Sequence, residues 1–211
     1  DLIVLYVSIE LQSLSLYVLV ALRRGSIKGS EAALKYFILG SIASAVILYG
    51  CSMVYSVVGT TNYEIIKQFS DQSFDNLILS LGLVLIISGV AFKLSAAPFH
   101  MWTPDVYQGA PTIVTAFIST APKVAVFGVL IRLLVFPFGE IIVDWGKLVI
   151  ILSITSMIIG SLGAIMQSDI KRLMAYSTIN HIGFMLMGLV PGTEDGITAI
   201  SIYLILYLTM N

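Results

Sequence analysis

The sequence has 211 residues, of which 58% are hydrophobic and 11% charged, and its mean hydropathy is +0.99. Soluble domains carry about 25% charged residues, so a water-soluble globular domain is excluded, and a net charge of −1 gives no footing for nucleic acid. Cys51 is the only cysteine, which excludes an intrachain disulfide and also an iron–sulfur site, for which about four cysteines are needed.

The apolar residues come in blocks of about twenty, long enough to cross a bilayer as helices. The first span is expected over residues 2–22, with Glu10 near its middle; it has no basic leader and does not read as a signal peptide. A basic loop with Arg23, Arg24 and Lys28 leads to a second span over 30–58. Glu31 and Lys35 form an i,i+4 pair at its start, and Gly40, Ser41, Ala43, Ser44 and Ala45 would let another helix approach closely. A polar loop over 59–76 carries Glu64, Lys67, Asp71 and Asp75.

Residues 77–106 are too many for one straight crossing at about 1.5 Å per residue. Pro98 and Pro104 interrupt them, so a discontinuous helix is expected, one half ending near 93–97 and the other running from 98 to about 106. Unwound backbone at membrane depth survives only inside protein or facing water, so this segment should face the bundle interior. A fourth span over 111–134 carries Lys123 beside Pro122. A loop over 136–147 follows, then a Ser/Thr/Gly-rich fifth span over 148–167 and a sixth over 173–190 with Ser177, Thr178, Asn180 and His181. Residues 197–211 begin a seventh. Both ends fall within or against apolar runs, and the chain reads as the middle of a longer membrane protein.

Loop charge agrees with a crossing at every step. One side holds Arg23, Arg24, Lys28, Lys171 and Arg172 against Asp105 and Asp169. The other holds Lys67 and Lys147 against Glu64, Asp71, Asp75, Glu140, Asp144, Glu194 and Asp195. The basic set marks the cytoplasmic or matrix side.

The ionisable groups inside the spans carry the functional reading. A lysine at the bilayer centre costs about 2.5–3.5 kcal/mol on insertion scales, so Lys93 and Lys123 are functional candidates by default. The plain alternative is snorkelling to the headgroups, which suits Lys93 if its helix ends early and suits Lys123 poorly. Desolvation disfavours the charged form of an amine, a property that a proton relay uses. Glu10 is either a structural partner for a basic residue or part of that relay; Lys35 is either a solvated partner of Glu31 or a further relay member. His100 and His181 are core histidines or relay groups, and as a pair they offer one haem site at most. Ser177, Thr178 and Asn180 would extend a water path or simply pack. Trp102, Trp145 and Tyr107 are expected as interfacial anchors. No G-x-G-x-x-G or Walker A motif is present.

The blocks FKLSAAPFHMWTPDVYQGAPTIVTAF and STAPKVAVFG resemble subunit 2 of the proton-pumping NADH–ubiquinone oxidoreductases, respiratory complex I. So do IELQSLSLYVLVALRRGS, EAALKYFILGSIASAVILYG and SDIKRLMAYSTINHIGFMLMGL. The resemblance implies an all-α polytopic bundle with antiporter-like inverted repeats. About six complete transmembrane helices and a truncated seventh are expected, in a single domain over 1–211. Its first repeat would be 1–134, with the broken helix at 77–106, and a second would start at 147–211. The resemblance further implies a proton relay through Glu10, Lys35, Lys93, His100, Lys123 and His181, with Glu10 paired to Lys93. Ser13–Leu14–Ser15 departs from a proline-containing pattern of the family, with a local helix bend as the expected consequence. No cofactor is expected on this chain; NADH, FMN, iron–sulfur clusters and ubiquinone belong to the complex. The implied partners are the other membrane-arm subunits and the lipid bilayer, cardiolipin included, in the mitochondrial inner membrane rather than a bacterial plasma membrane or a thylakoid. A stand-alone Mrp-type cation/proton antiporter is the alternative.

Overall fold

A computed structural model describes residues 1–23, 25–70 and 76–210; Arg24, Asp71 and Asp75 of the loop charges, and Asn211, lie outside the described residues. The elements, in order, are α1 (Leu2–Val20), α2 (Ile27–Val58), α3 (Tyr63–Ser70), α4 (Leu77–Leu94), α5 (Trp102–Gly109), α6 (Thr112–Val135), a short 3-10 turn (Gly139–Ile141), α7 (Ile142–Ile165), α8 (Ile170–Leu189) and α9 (Glu194–Met210).

Local chemistry sets the helix ends. Ser26, Asn76 and Asp169 cap α2, α4 and α8, each side chain accepting from backbone N–H groups of the first turn. Gly59 ends α2 at φ +76°, a left-handed conformation that costs glycine nothing. The helices alternate in direction, as cross-contacts at the two ends establish. At one end the Leu2 N–H donates to the Thr61 carbonyl, Ser70 Oγ to the Pro137 carbonyl and Ser80 Oγ to Asp144. At the other end Gln108 donates to Asp169, Lys171 to the Ala110 carbonyl and Arg172 to Asp105.

Five helical segments are long and apolar enough to cross a membrane among the described residues: α1, α2, α4, α6 and Gly139–Ile165. α8 has the length of a span, yet Lys171, Arg172, Asn180 and His181 make it polar, and α9 has 17 residues. The expected loops are shorter than the sequence suggested. Within 59–76, Tyr63–Ser70 forms α3 with Ile66 fully buried. Residues 139–147 are helical because Ile141 and Trp145 pack into the core.

Glycines let α2 and α4 touch backbone to backbone. A Cβ on Gly50 would lie 2.6 Å from the Gly82 carbonyl oxygen, and one on Gly89 would lie 2.9 Å from the Ala43 carbonyl oxygen. α7 and α8 meet the same way, with Gly160 against the Asn180 backbone and Gly183 against the Ser153 carbonyl oxygen. Such small-residue contacts bring helices together where hydrocarbon offers no hydrophobic drive.

Candidate functional site: a lysine pair at a helix break

The break is wider than the sequence suggested. α4 stops at Leu94, residues 95–101 form turns, and α5 starts at Trp102. Ser95 ends α4 at φ 70°, the one non-glycine residue with positive φ among the described residues, and the Ala97–Pro98 peptide is cis. The freed backbone finds partners on α7, where Ser156 Oγ accepts from the Ala97 N–H at 2.8 Å and Thr155 Oγ1 donates to the Ala97 carbonyl at 3.0 Å. Ala96 and Ala97 are buried as expected, but Pro98, Phe99 and Met101 are exposed on this chain, so only part of the segment faces the interior.

A helix end leaves its last carbonyls without partners. Lys123, from the middle of α6, fills that role for α4: its Nζ donates to the Leu94 carbonyl at 2.7 Å, to the Lys93 carbonyl at 3.2 Å and to Ser95 Oγ. A cation at a helix C-terminus also meets the negative end of the macrodipole. The amine lies 5.1 Å from the Trp102 ring centroid, and Trp102 Nε1 donates to the Phe92 carbonyl at 3.0 Å. Lys123 is 1% exposed, which rules out snorkelling. Trp102, Trp145 and Tyr107 are equally buried, which corrects their expected place as interfacial anchors. Trp102 and Trp145 satisfy backbone carbonyls, those of Phe92 and Phe138, inside the protein.

Lys93 is bound by hydroxyls. Its Nζ donates to Ser13 Oγ at 2.8 Å, Ser44 Oγ at 3.2 Å and Tyr17 OH at 3.3 Å, three groups that are themselves buried. The expected Glu10–Lys93 pair is not a contact here. Glu10 acts on Lys93 through space, and Glu10 Oε2 is buried without a hydrogen-bond partner among the described residues. The reason is register: Ser13 and Tyr17 follow Glu10 by three and seven residues on one face of α1, and Lys93 meets that face at the two hydroxyls.

Lys35 lies apart from the other two lysines, and its expected i,i+4 pair with Glu31 is present. It pairs with Glu31 and Asp105, both at 2.8 Å, and Asp105 also binds Arg172 at 2.7 Å. The cluster ties α2, α5 and α8 at the basic-loop end, where opposite charges from three elements converge. Asp169 completes it by capping α8 and accepting from Gln108. The Arg172 backbone N–H leads the interactions that hold the partly exposed Asp169 carboxyl below its ordinary value of 3.8, with the Gln108 and Lys171 bonds adding to it. A depressed carboxyl stabilises the fold above its unfolded pKa and loses that contribution as pH falls through the folded value. The Lys171 and Arg172 amides should therefore exchange faster with deuterium as pH drops below about 3.8, after correction for intrinsic rates, and Asp169→Ala should remove that pH dependence.

His100 sits in the unwound segment, half-buried, with Nδ1 lacking a hydrogen-bond partner among the described residues and Tyr176 of α8 nearby at 6.4 Å between ring centroids. His181 of α8 faces α9, with Nδ1 2.8 Å from the Tyr203 hydroxyl. Tyr207 OH donates to the Ser119 carbonyl, one turn from Lys123, at 2.9 Å and lies 3.2 Å from Oγ1 of Thr178, one turn before His181. A cavity of about 180 Å³ runs beside these groups from Lys171 past Thr112 and Thr115 to Ser119 and Thr178. The structure thus brings Lys93 and Lys123 to one break and His181 to the next helix pair, and sets Lys35 apart.

Sequence reasoning missed Ser13, Tyr17, Ser44, Ser95 and Tyr207. The spacing of Ser13 and Tyr17 from Glu10 was a usable signal, whereas Ser44 was hidden in a stripe read as packing. Tyr207 gave none, because its partners come from α6 and α8.

Comparison with known proteins defines the class. The family described as NADH:quinone oxidoreductase/Mrp antiporter, transmembrane, matches residues 1–211, and the chain belongs to it. The subunit called NADH-quinone oxidoreductase subunit N 1 of Acidiphilium cryptum is 52% identical over 212 residues. The alignment covers 100% of this chain and 44% of that protein. A Rhodobacter capsulatus subunit N is 50% identical with the same coverage. The chain therefore spans less than half the length of these curated relatives. Among solved structures, respiratory complex I from Thermus thermophilus superposes with a TM-score of 0.79 at 37% identity, covering 98% of this chain and 44% of that one. The Mrp complex from Dietzia sp. DQ12-45-1b gives 0.87 at 25% identity, covering 97% and 38%.

Proposed function

We propose that this chain is the proton-translocating core of a membrane-arm subunit of an NADH:quinone oxidoreductase, and that Lys93 and Lys123 are adjacent stations of its proton path. The observation that carries the reading is the Lys123 amine bound to the Lys93 carbonyl at a helix break deep in the bundle. Intramembrane lysines at a discontinuous helix mark ion paths in transporters. Electron transfer elsewhere in the complex would perturb the Glu10–Lys93 interaction, and a proton would pass from Lys93 toward Lys123. The Ser119 carbonyl and the Tyr207 and Thr178 hydroxyls lie along the line toward His181, and His100 flanks it. Lys35 serves at the basic-loop end, as a clamp and a charge relay at the rim.

The chain itself would carry no redox centre; one cysteine and two histidines supply too few ligands for a cluster. NADH, FMN, iron–sulfur clusters and ubiquinone are assigned to the complex, the other membrane-arm subunits are the partners, and cardiolipin is among the lipids. The relatives reported above are bacterial, so the bacterial plasma membrane stands beside the mitochondrial inner membrane as the location.

The Mrp-type antiporter remains the rival, because that complex shares the fold. Identity favours the oxidoreductase, at 52% against 25%. The full-length protein should purify with partner subunits, and liposomes holding that assembly should move protons when quinone is reduced. The isolated full-length protein should exchange no sodium for protons; sodium/proton exchange by it alone would establish the rival reading.

A further inference from the structure

Two groups on one face of α1 compete for one ammonium. Ser13 and Tyr17, with Ser44 of α2, hold the Lys93 amine by three hydrogen bonds. Glu10, one turn before Ser13, presents a buried carboxyl oxygen with no hydrogen-bond partner among the described residues. A carboxylate is the stronger acceptor for an ammonium, so its bare state beside a lysine satisfied by neutral oxygens calls for a reason.

We propose that Ser13, Tyr17 and Ser44 form a second seat for the Lys93 ammonium, which alternates between this hydroxyl seat and Glu10. The inference rests on the relay reading above and names the positioning residues within it. The seat is made of neutral acceptors, so it holds the lysine without the attraction of a carboxylate and leaves Glu10 open for a different partner.

The space on α2 for this arrangement is specific. A Cβ at Gly40 would fall on the Tyr17 hydroxyl, so only glycine there leaves room for the ring to reach the amine. Tyr17 is braced from the far side by Tyr36, edge-on at 4.7 Å, and Tyr36 stacks on Trp102 at 4.6 Å. Trp102 also faces the Lys123 amine. The seat is therefore continuous with the cap on the break: a lysine leaving it frees Tyr17, whose neighbours reach Lys123. Other ionisable groups among the described residues approach the seat from several elements. On α1 they are Glu10 and Tyr6, on α2 Tyr36 and Cys51, on α6 Lys123, bound to the α4 carbonyls, and on the unwound segment His100; Lys35 is turned to Asp105.

The test reads Glu10 directly, in the assembled full-length complex. A membrane-permeant carbodiimide reacts with an unpartnered buried carboxyl, and its adduct on Glu10 is quantified by mass spectrometry. In Ser13→Ala/Ser44→Ala the lysine should settle on Glu10, and labelling should fall severalfold. Ser13→Thr/Ser44→Thr, which restores both hydroxyls, should return it to the starting value. Lys93→Met added to the alanine pair should also restore labelling, which a packing defect would not do. Unchanged labelling in the alanine pair, or a loss that Lys93→Met fails to reverse, overturns the second seat. Labelling requires no proton pumping, so this result stands apart from the liposome test of the function.

Discussion

Lys123→Met should cut quinone-coupled proton pumping by roughly tenfold or more, on the scale of losing a positioned proton-transfer group, while the complex still assembles. Methionine has nearly the lysine's length and fills the buried slot, but it has no proton to give. Two terms of opposite sign govern stability. The substitution leaves the Leu94 and Lys93 carbonyls and Ser95 Oγ without the donor they share, at about 1–3 kcal/mol for an unsatisfied buried group. It also removes an amine that costs about 2.5–3.5 kcal/mol to insert at mid-bilayer. Summed over the three groups the loss is about 3–9 kcal/mol, more than the amine's cost, so the Tm of the assembled complex should fall, and pumping is read per assembled complex. Lys123→Arg separates the two roles. A guanidinium stays protonated in proteins, so it can cap the α4 carbonyls without passing a proton on. Pumping lost in both variants identifies proton transfer as the essential role; pumping kept in the arginine variant would reduce Lys123 to a cap.

Much of this was legible in the chain. Twenty-residue apolar blocks and the loop charges give the spans and their alternation, and the charges at the described ends meet where alternation requires. Pro98 signals the break. Its width was not legible, because Ser95 in a left-handed turn is a local choice that a tertiary partner, the Lys123 amine, makes affordable. Lys93 and Lys123 stand out by the cost of placing them in an apolar run. Their neighbours did not, since serine and tyrosine hydroxyls in a span are cheap and common. Trp102 and Trp145 misled for a related reason: the indole suits a membrane interface and equally a buried carbonyl at a helix end. The Glu31 partner of Lys35 was legible from its i,i+4 spacing, whereas Asp105, seventy residues away, was not.

The second large effect concerns packing. Gly50→Val should lower the yield of assembled complex severely, with a local cost of about 3 kcal/mol or more. A Cβ at Gly50 would stand 2.6 Å from the Gly82 carbonyl oxygen and 2.9 Å from the Ile86 backbone nitrogen. These are backbone atoms of α4 and cannot rotate aside, so the two helices would have to separate. Because α4 carries Lys93 and the break, separation also pulls Lys93 from Ser44 on α2. The Tm of the assembled complex and its yield from membranes measure the effect. Ala45→Val, at a small residue of the same helix for comparison, tests whether added bulk on α2 alone is the cause.

The unwound stretch owes its backbone partners to a distant helix: Ala97 is tied at both its N–H and its carbonyl to Ser156 and Thr155. Any displacement of that stretch must drag α7 along or snap both ties at once. Chain positions nearly sixty residues apart are thereby joined, and α7 is the helix whose position should change if the stretch beside the lysines moves.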